Sequence, residues 1–212
     1  MEILGAITGR FYGLIIPGIG LLATAAGGDS GGLRQIINRG ADVNYRNWRG
    51  TAALHLAASY KNVKCMRLLI DHGADINART DIGGTALHSA AYAGNTECVQ
   101  LLINKGCDIH ARDDRGMTAL HWAASGGRTE CVQLLVDKGC DIHARANNEW
   151  TALHCAAMVG STECVQLLYD LGVDISAKCK KGLTAYDSAN QEGRAAAAEL
   201  LLSLSTHNRQ AH

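Results

Sequence analysis

The chain has 212 residues with 20 Lys+Arg against 20 Asp+Glu, so no net field draws it to nucleic acid or to an anionic membrane surface. Its length suits one sizeable domain or a short repeat array, and 47% hydrophobic residues are enough for a core. With 24 Gly but one Pro (Pro17) and one Phe (Phe11), it points to many short turns closed by glycine rather than to a loop-rich sandwich.

The first element in chain order is MEILGAITGRFYGLIIPGIGLLATAAGG, whose only charges are Glu2 and Arg10. Residues 1–20 of it read as an apolar, Gly-rich extension, and three readings compete. A secretory signal would use Arg10, the apolar core and the A-x-A of Ala23-Thr24-Ala25. Cleavage there would cut into the helical run LLATAA, and eight cysteines sit badly in an oxidising compartment. A contact with a membrane or membrane protein through residues 3–20 would use the GxxxGxxxG face of Gly5, Gly9 and Gly13. Pro17 and the glycines make that stretch a marginal span. The third reading is a flexible extension that partly covers the neighbouring helices.

From Leu21 onward the chain repeats itself. His55, His88, His121 and His154 recur every 33 residues, each in ALH, and Asp187 continues the series in TAYD. Cys65, Cys98, Cys131 and Cys164 keep the same step, as do Cys107 with Cys140 and His110 with His143. So do Gly40, Gly73, Gly106, Gly139 and Gly172, each two residues before an aspartate. Within one unit, Thr118 can cap the short apolar helix ALHWAAS, and Gly126 and Gly127 break it. Thr129 then opens a second helix with Cys131, Leu134 and Leu135 on one face. Gly139 supplies the left-handed residue past its end, and CDIHARDDRG carries the chain out and back.

This pattern, GMTALHWAASGGRTECVQLLVDKGCDIHAR with copies from Gly50, Gly83 and the weaker Glu149, resembles the ankyrin repeat over roughly residues 21–204. The resemblance implies an all-α ankyrin-repeat solenoid of about six helix-turn-helix units with projecting β-turn or hairpin loops. Residues 21–46 look like an N-terminal capping repeat. Four full repeats are expected at 47–79, 80–112, 113–145 and 146–178, then a C-terminal cap at 179–205 and a tail at 206–212. Three departures stand out. Ala53, Ala86, Ala119 and Ala152 replace the family's usual Pro before LH. Ala52 replaces the capping Thr, at a cost of about 1 kcal/mol. Glu149 replaces the turn Gly, so the fourth hairpin is expected to be distorted.

The repeat also decides the chemistry. Zinc sites favour close pairs such as CxxC, and the chain has none. Cysteines recurring once per unit would stand about 10 Å apart, the helix-packing distance, too far for one ion or for a disulfide. They read as small core side chains, with no metal. The ALH histidines recur four times, whereas a catalytic base is unique; the resemblance implies that each bonds backbone in the neighbouring loop. No GxSxG, P-loop, HExxH or GxGxxG stands between a strand and a helix, and GDSGG at Gly28–Gly32 falls in a turn between predicted helices. No catalytic residue, cofactor or small-molecule substrate is therefore expected.

The slots that vary between units can encode a partner. By the resemblance these are the hairpin tips and the ends of the first helices, which line a concave face. They carry Trp48, Arg49 and Tyr60, then Asp81, Ile82 and Tyr92, then Asp114, Arg115 and Met117, and finally Trp150 and Met158. Trp, Tyr, Met and Arg are the types enriched at interface centres. The expected function is a non-enzymatic scaffold or adaptor for a protein partner, in the cytoplasm or another reducing compartment. The alternative is a membrane-associated complex subunit or targeting factor docking through the apolar N-terminal segment.

Overall fold

The computed structural model describes residues 17–210, with side chains as far as Thr206. The secretory and membrane readings of the N-terminus, with Gly5, Gly9 and Gly13, therefore rest largely outside the described residues, as does the end of the 206–212 tail. Among the described residues there are twelve α-helices and one isolated bridge, Arg46 with Ala52. None of these helices is long and apolar enough to cross a membrane.

The chain divides into two compact units after Asp108. The first holds three helix pairs, α1 (Pro17–Gly27) with α2 (Ser30–Asn38), α3 (Ala53–Ser59) with α4 (Val63–Asp71), and α5 (Ala86–Ala93) with α6 (Thr96–Asn104). Within it α3 packs between α1 and α5, and α4 between α2 and α6. The second unit repeats the plan with α7 (Ala119–Ser125), α8 (Thr129–Asp137), α9 (Ala152–Val159), α10 (Thr162–Asp170), α11 (Ala185–Gln191) and α12 (Ala195–Gln210). There α9 packs between α7 and α11, and α10 between α8 and α12. Each unit is thus a run of stacked helix pairs in an all-α repeat fold.

The repeated residue types explain the stacking. The first helix of each pair carries alanines at its contacts (Ala57 and Ala58, Ala90 and Ala91, Ala123 and Ala124, Ala156 and Ala157), all fully buried, so neighbouring helices approach closely. The second helix buries one face: Cys65, Met66 and Leu69; Cys98, Val99 and Leu102; Cys131, Val132 and Leu135; Cys164, Val165 and Leu168. Each buried Leu contributes roughly 1.5–3 kcal/mol. The predicted left-handed glycines after these helices hold φ between 81° at Gly106 and 87° at Gly40. The cap's first helix begins at Pro17, a favoured first helical position, so residues 17–20 of the expected extension are helix. Gly18 there is buried against the Tyr45 ring.

The fourth hairpin departs from expectation. Ala146 N–H donates to the Trp150 carbonyl at 2.9 Å and Glu149 N–H to the Ala146 carbonyl at 2.9 Å. These are the bonds of the preceding hairpin, Asp113 to Met117 at 2.9 Å and Gly116 to Asp113 at 2.8 Å. Glu149 accordingly takes φ 64°, close to the 74° of Gly116. The hairpin is kept, not distorted, and the penalty appears as a side chain on left-handed backbone, about 1–2 kcal/mol.

Candidate partner-binding face

The histidines set the hairpins in place. His55 Nδ1 accepts from Ala52 N–H at 3.2 Å, and His55 Nε2 faces the Ala78 carbonyl at 3.0 Å and, in the next repeat, the Gly84 carbonyl at 3.3 Å. His121 Nε2 reaches the Trp150 carbonyl at 3.1 Å and His154 Nε2 the Leu183 carbonyl at 3.0 Å. Thr85, Thr118 and Thr151 each add a hydroxyl 2.9 Å from the Nδ1 of His88, His121 and His154. Desolvation by burial lowers the pKa of His55 and of His154 below the ordinary value, so both stay neutral. His55, His121 and His154 thus each reach a carbonyl of the neighbouring hairpin, the role the resemblance implied for the series.

The thiols are equally committed to packing. Cys65, Cys98, Cys131 and Cys164 are fully buried. Burial, reinforced by Asp108 and Asp141, pushes Cys107 up to about 11 and Cys140 up to about 12. Burial also pushes Cys155 up to about 11. Among the described residues no three His, Cys, Asp or Glu side chains are grouped so as to hold a metal ion.

Backbone bonds hold neighbouring tips in register. In the first unit Asp81 N–H donates to the Arg49 carbonyl at 2.9 Å. In the second, Asn147 N–H donates to Arg115 at 2.8 Å and Lys180 N–H to Asn148 at 3.0 Å. Arginines below the tips add a second tie: Arg46 Nη1 to the Arg79 carbonyl at 3.3 Å, Arg112 to Arg145 at 2.7 Å and Arg145 to Lys178 at 3.2 Å. Side chains at the tips carry none of these backbone bonds, so they can vary.

The expected site residues fall into two groups. In the first unit, Trp48 is 82% exposed with the Arg49 guanidinium 4.4 Å over its ring. Asp81 and Ile82 stand exposed on the adjoining tip. Tyr60 closes α3, Tyr92 lies near the end of α5, and both are exposed. In the second unit Asp114 and Arg115 are exposed, whereas Met117, Trp150 and Met158 are half-buried. The Trp150 indole stacks on the His154 ring, with centroids 6.0 Å apart. Arg194 Nε donates to the Met158 carbonyl at 3.1 Å.

Sequence reasoning missed two features of this face. Buried Asp113 organises its hairpin, accepting from Arg115 N–H at 2.9 Å, Met117 N–H at 2.8 Å and Trp122 Nε1 at 3.1 Å, while its Oδ2 pairs with Arg115 Nη2 at 3.3 Å. Lys180 and Lys181 also occupy tip slots, one 33-residue step beyond Asn147 and Asn148. The period itself contained that signal.

A family model for ankyrin repeats (three copies) matches residues 21–113, 79–146, 105–179 and 140–211. The chain belongs to the ankyrin repeat family, whose repeats generally mediate protein–protein interaction and are typically non-enzymatic. No curated protein matches the chain significantly.

Proposed function

We propose that this chain is a non-enzymatic scaffold or adaptor that binds a protein partner through its hairpin tips and the adjoining ends of the first helices. One observation carries the reading: Trp48, Tyr60, Ile82 and Tyr92, four large apolar or amphipathic side chains, stand exposed on consecutive repeats of the first unit. Bare side chains of that size reduce solubility unless something covers them. In the second unit Asp114, Arg115, Met117, Trp150 and Met158 are the candidates in the corresponding slots. The buried, high-pKa thiols favour a reducing compartment. The membrane-associated alternative draws on the composition of residues 3–20, of which Pro17–Gly20 belong to α1.

The test is affinity capture with the full chain and with Trp48→Ala/Tyr92→Ala, followed by titration of the captured partner. Binding should weaken by about tenfold or more with helicity unchanged. Undiminished affinity would move the interface elsewhere.

A further inference from the structure

The last hairpin tip differs from the others in charge. Lys178, Lys180 and Lys181 are all exposed. Among the described residues no carboxylate bridges any of them, and the nearby acidic side chains make their short bonds to other groups, although Asp187 also feels the Lys178 charge. Glu149 pairs with Arg145 at 3.4 Å. Asp174 accepts from the Ser176 amide at 2.9 Å and its hydroxyl at 2.7 Å. Asp187 accepts from the Thr184 amide and hydroxyl, both at 2.8 Å. A chain balanced overall thus carries two adjacent unbridged cations, Lys180 and Lys181, at this tip, with Lys178 at its base within the Coulombic reach of Asp187.

That tip belongs to the same row as its neighbour. Lys180 N–H donates to the Asn148 carbonyl at 3.0 Å, as Asn147 N–H does to Arg115 at 2.8 Å. Lys180 and Lys181 therefore project from the slots in which the preceding tips carry Asn147 and Asn148, and Asp114 and Arg115. Lysine ammonium groups left without counter-charge raise the local potential and select anionic partners by charge complementarity.

We propose that Lys180 and Lys181, supported by Lys178, form the acidic-segment end of the partner face: the protein partner presents a stretch rich in Asp or Glu to this tip. The inference rests on the partner-face reading above and adds the partner's chemistry. A protein segment is the favoured occupant over a polyanion such as nucleic acid. The tip continues a row of uncharged and mixed-charge tips, and the chain carries no net positive charge to follow a phosphate backbone.

The experiment selects a displayed library of random peptides on the full chain, with counter-selection against Lys180→Glu/Lys181→Glu. Enriched peptides should carry clustered carboxylates. A synthetic representative should lose about tenfold or more in affinity for the double-Glu variant, retain it for Lys180→Arg/Lys181→Arg, and weaken as salt rises. Circular dichroism of both variants keeps misfolding out of the comparison. Peptides without acidic clusters, or equal binding to the double-Glu variant, overturn the proposal. If such peptides instead depend on Trp150 or Arg115, the partner face stands while the acidic chemistry falls. If heparin or phosphatidylserine vesicles bind through the lysines and no peptide does, the occupant is a polyanion and the proposal falls.

Discussion

Gly116→Ala and Gly139→Ala place the same methyl group on the same kind of backbone, φ 74° and 85°, in two different surroundings. At Gly139 an added β-carbon meets nothing within 4 Å. The cost is then the left-handed penalty, about 1–2 kcal/mol, less about 0.4–1 kcal/mol for the stiffer unfolded chain. The net destabilisation is about 0.5–1 kcal/mol. At Gly116 the same β-carbon would lie 2.9 Å from the Asn147 backbone nitrogen. That atom cannot swing aside, because it makes the 2.8 Å bond to the Arg115 carbonyl that joins the two tips. Relieving the overlap means opening the tips and weakening that bond, about 1 kcal/mol more. Gly116→Ala should therefore melt about 2–4 °C below Gly139→Ala. Urea and thermal unfolding followed by circular dichroism would measure both. Equal loss for the two variants would show that adjoining tips yield freely to a side chain in this slot, as the fourth hairpin does to Glu149, and would refute the claim that tip register is rigid.

Ala52→Thr should restore the hydroxyl that Thr85, Thr118 and Thr151 set beside their histidines, adding about 0.5–1 kcal/mol in a urea melt. Glu149→Gly should remove the left-handed strain of about 1–2 kcal/mol, offset by unfolded-state entropy and by the exposed Arg145 pair, leaving a gain of about 0.5 kcal/mol. Because burial holds His55 and His154 below 6.5, the unfolded chain binds protons that the folded chain refuses; stability should be full above that value and decline as pH falls beneath it. Asp187, whose pKa the Thr184 amide lowers from 3.8, adds a further loss in the same direction at more acid pH, and urea midpoints along a pH series would show both. With thiols raised to about 11 and 12, Cys107 and Cys140 should alkylate slowly in the folded chain at mildly alkaline pH and rapidly in denaturant, as peptide mapping would read.

Much of the fold was legible because each unit repeats its own local instructions. The ALH run, the Cys-Val-Gln-Leu-Leu face and the glycine after it recur at a fixed step, so one unit interprets the next. What escaped lies where that step meets a different context. Glu149 suggested a broken turn, but the bonds between Ala146 and Trp150 hold the turn whichever side chain occupies the slot. Trp150 looked like a free anchor by residue type. Its carbonyl is held by His121 and its ring rests on His154, and no count along the chain reveals that stacking. In the sequence Asp113 is one acid among several; its burial and its bonds to Arg115, Met117 and Trp122 set it apart. Lys180 and Lys181 lie in a segment whose composition marks it as a cap, although the 33-residue step leads to them from Asn147 and Asn148. The start of α1 at Pro17 was hidden in an apolar stretch without period.

The placement of the variable residues derives from how the hairpins are held. A tip's backbone is held mainly by partners other than its own outermost side chains, although Asn147 adds an amide bond to the Asp114 carbonyl at 3.0 Å and Asn148 accepts from Trp150 N–H at 3.2 Å. Asp81 N–H meets a carbonyl of the preceding tip, and the histidine and arginine of the repeat before reach carbonyls at the tip's base. The tip side chains can therefore change from Trp and Arg, through Asp and Ile or Asn and Asn, to Lys and Lys without removing a bond that the fold needs. Asp113 marks the edge of that freedom. Once a tip-flanking side chain is buried and bonded to Arg115, Met117 and Trp122, it becomes part of the frame, and the residues it fixes inherit a set orientation. Recognition can then diverge at the outermost two positions of each hairpin while stability stays with the residues beneath them.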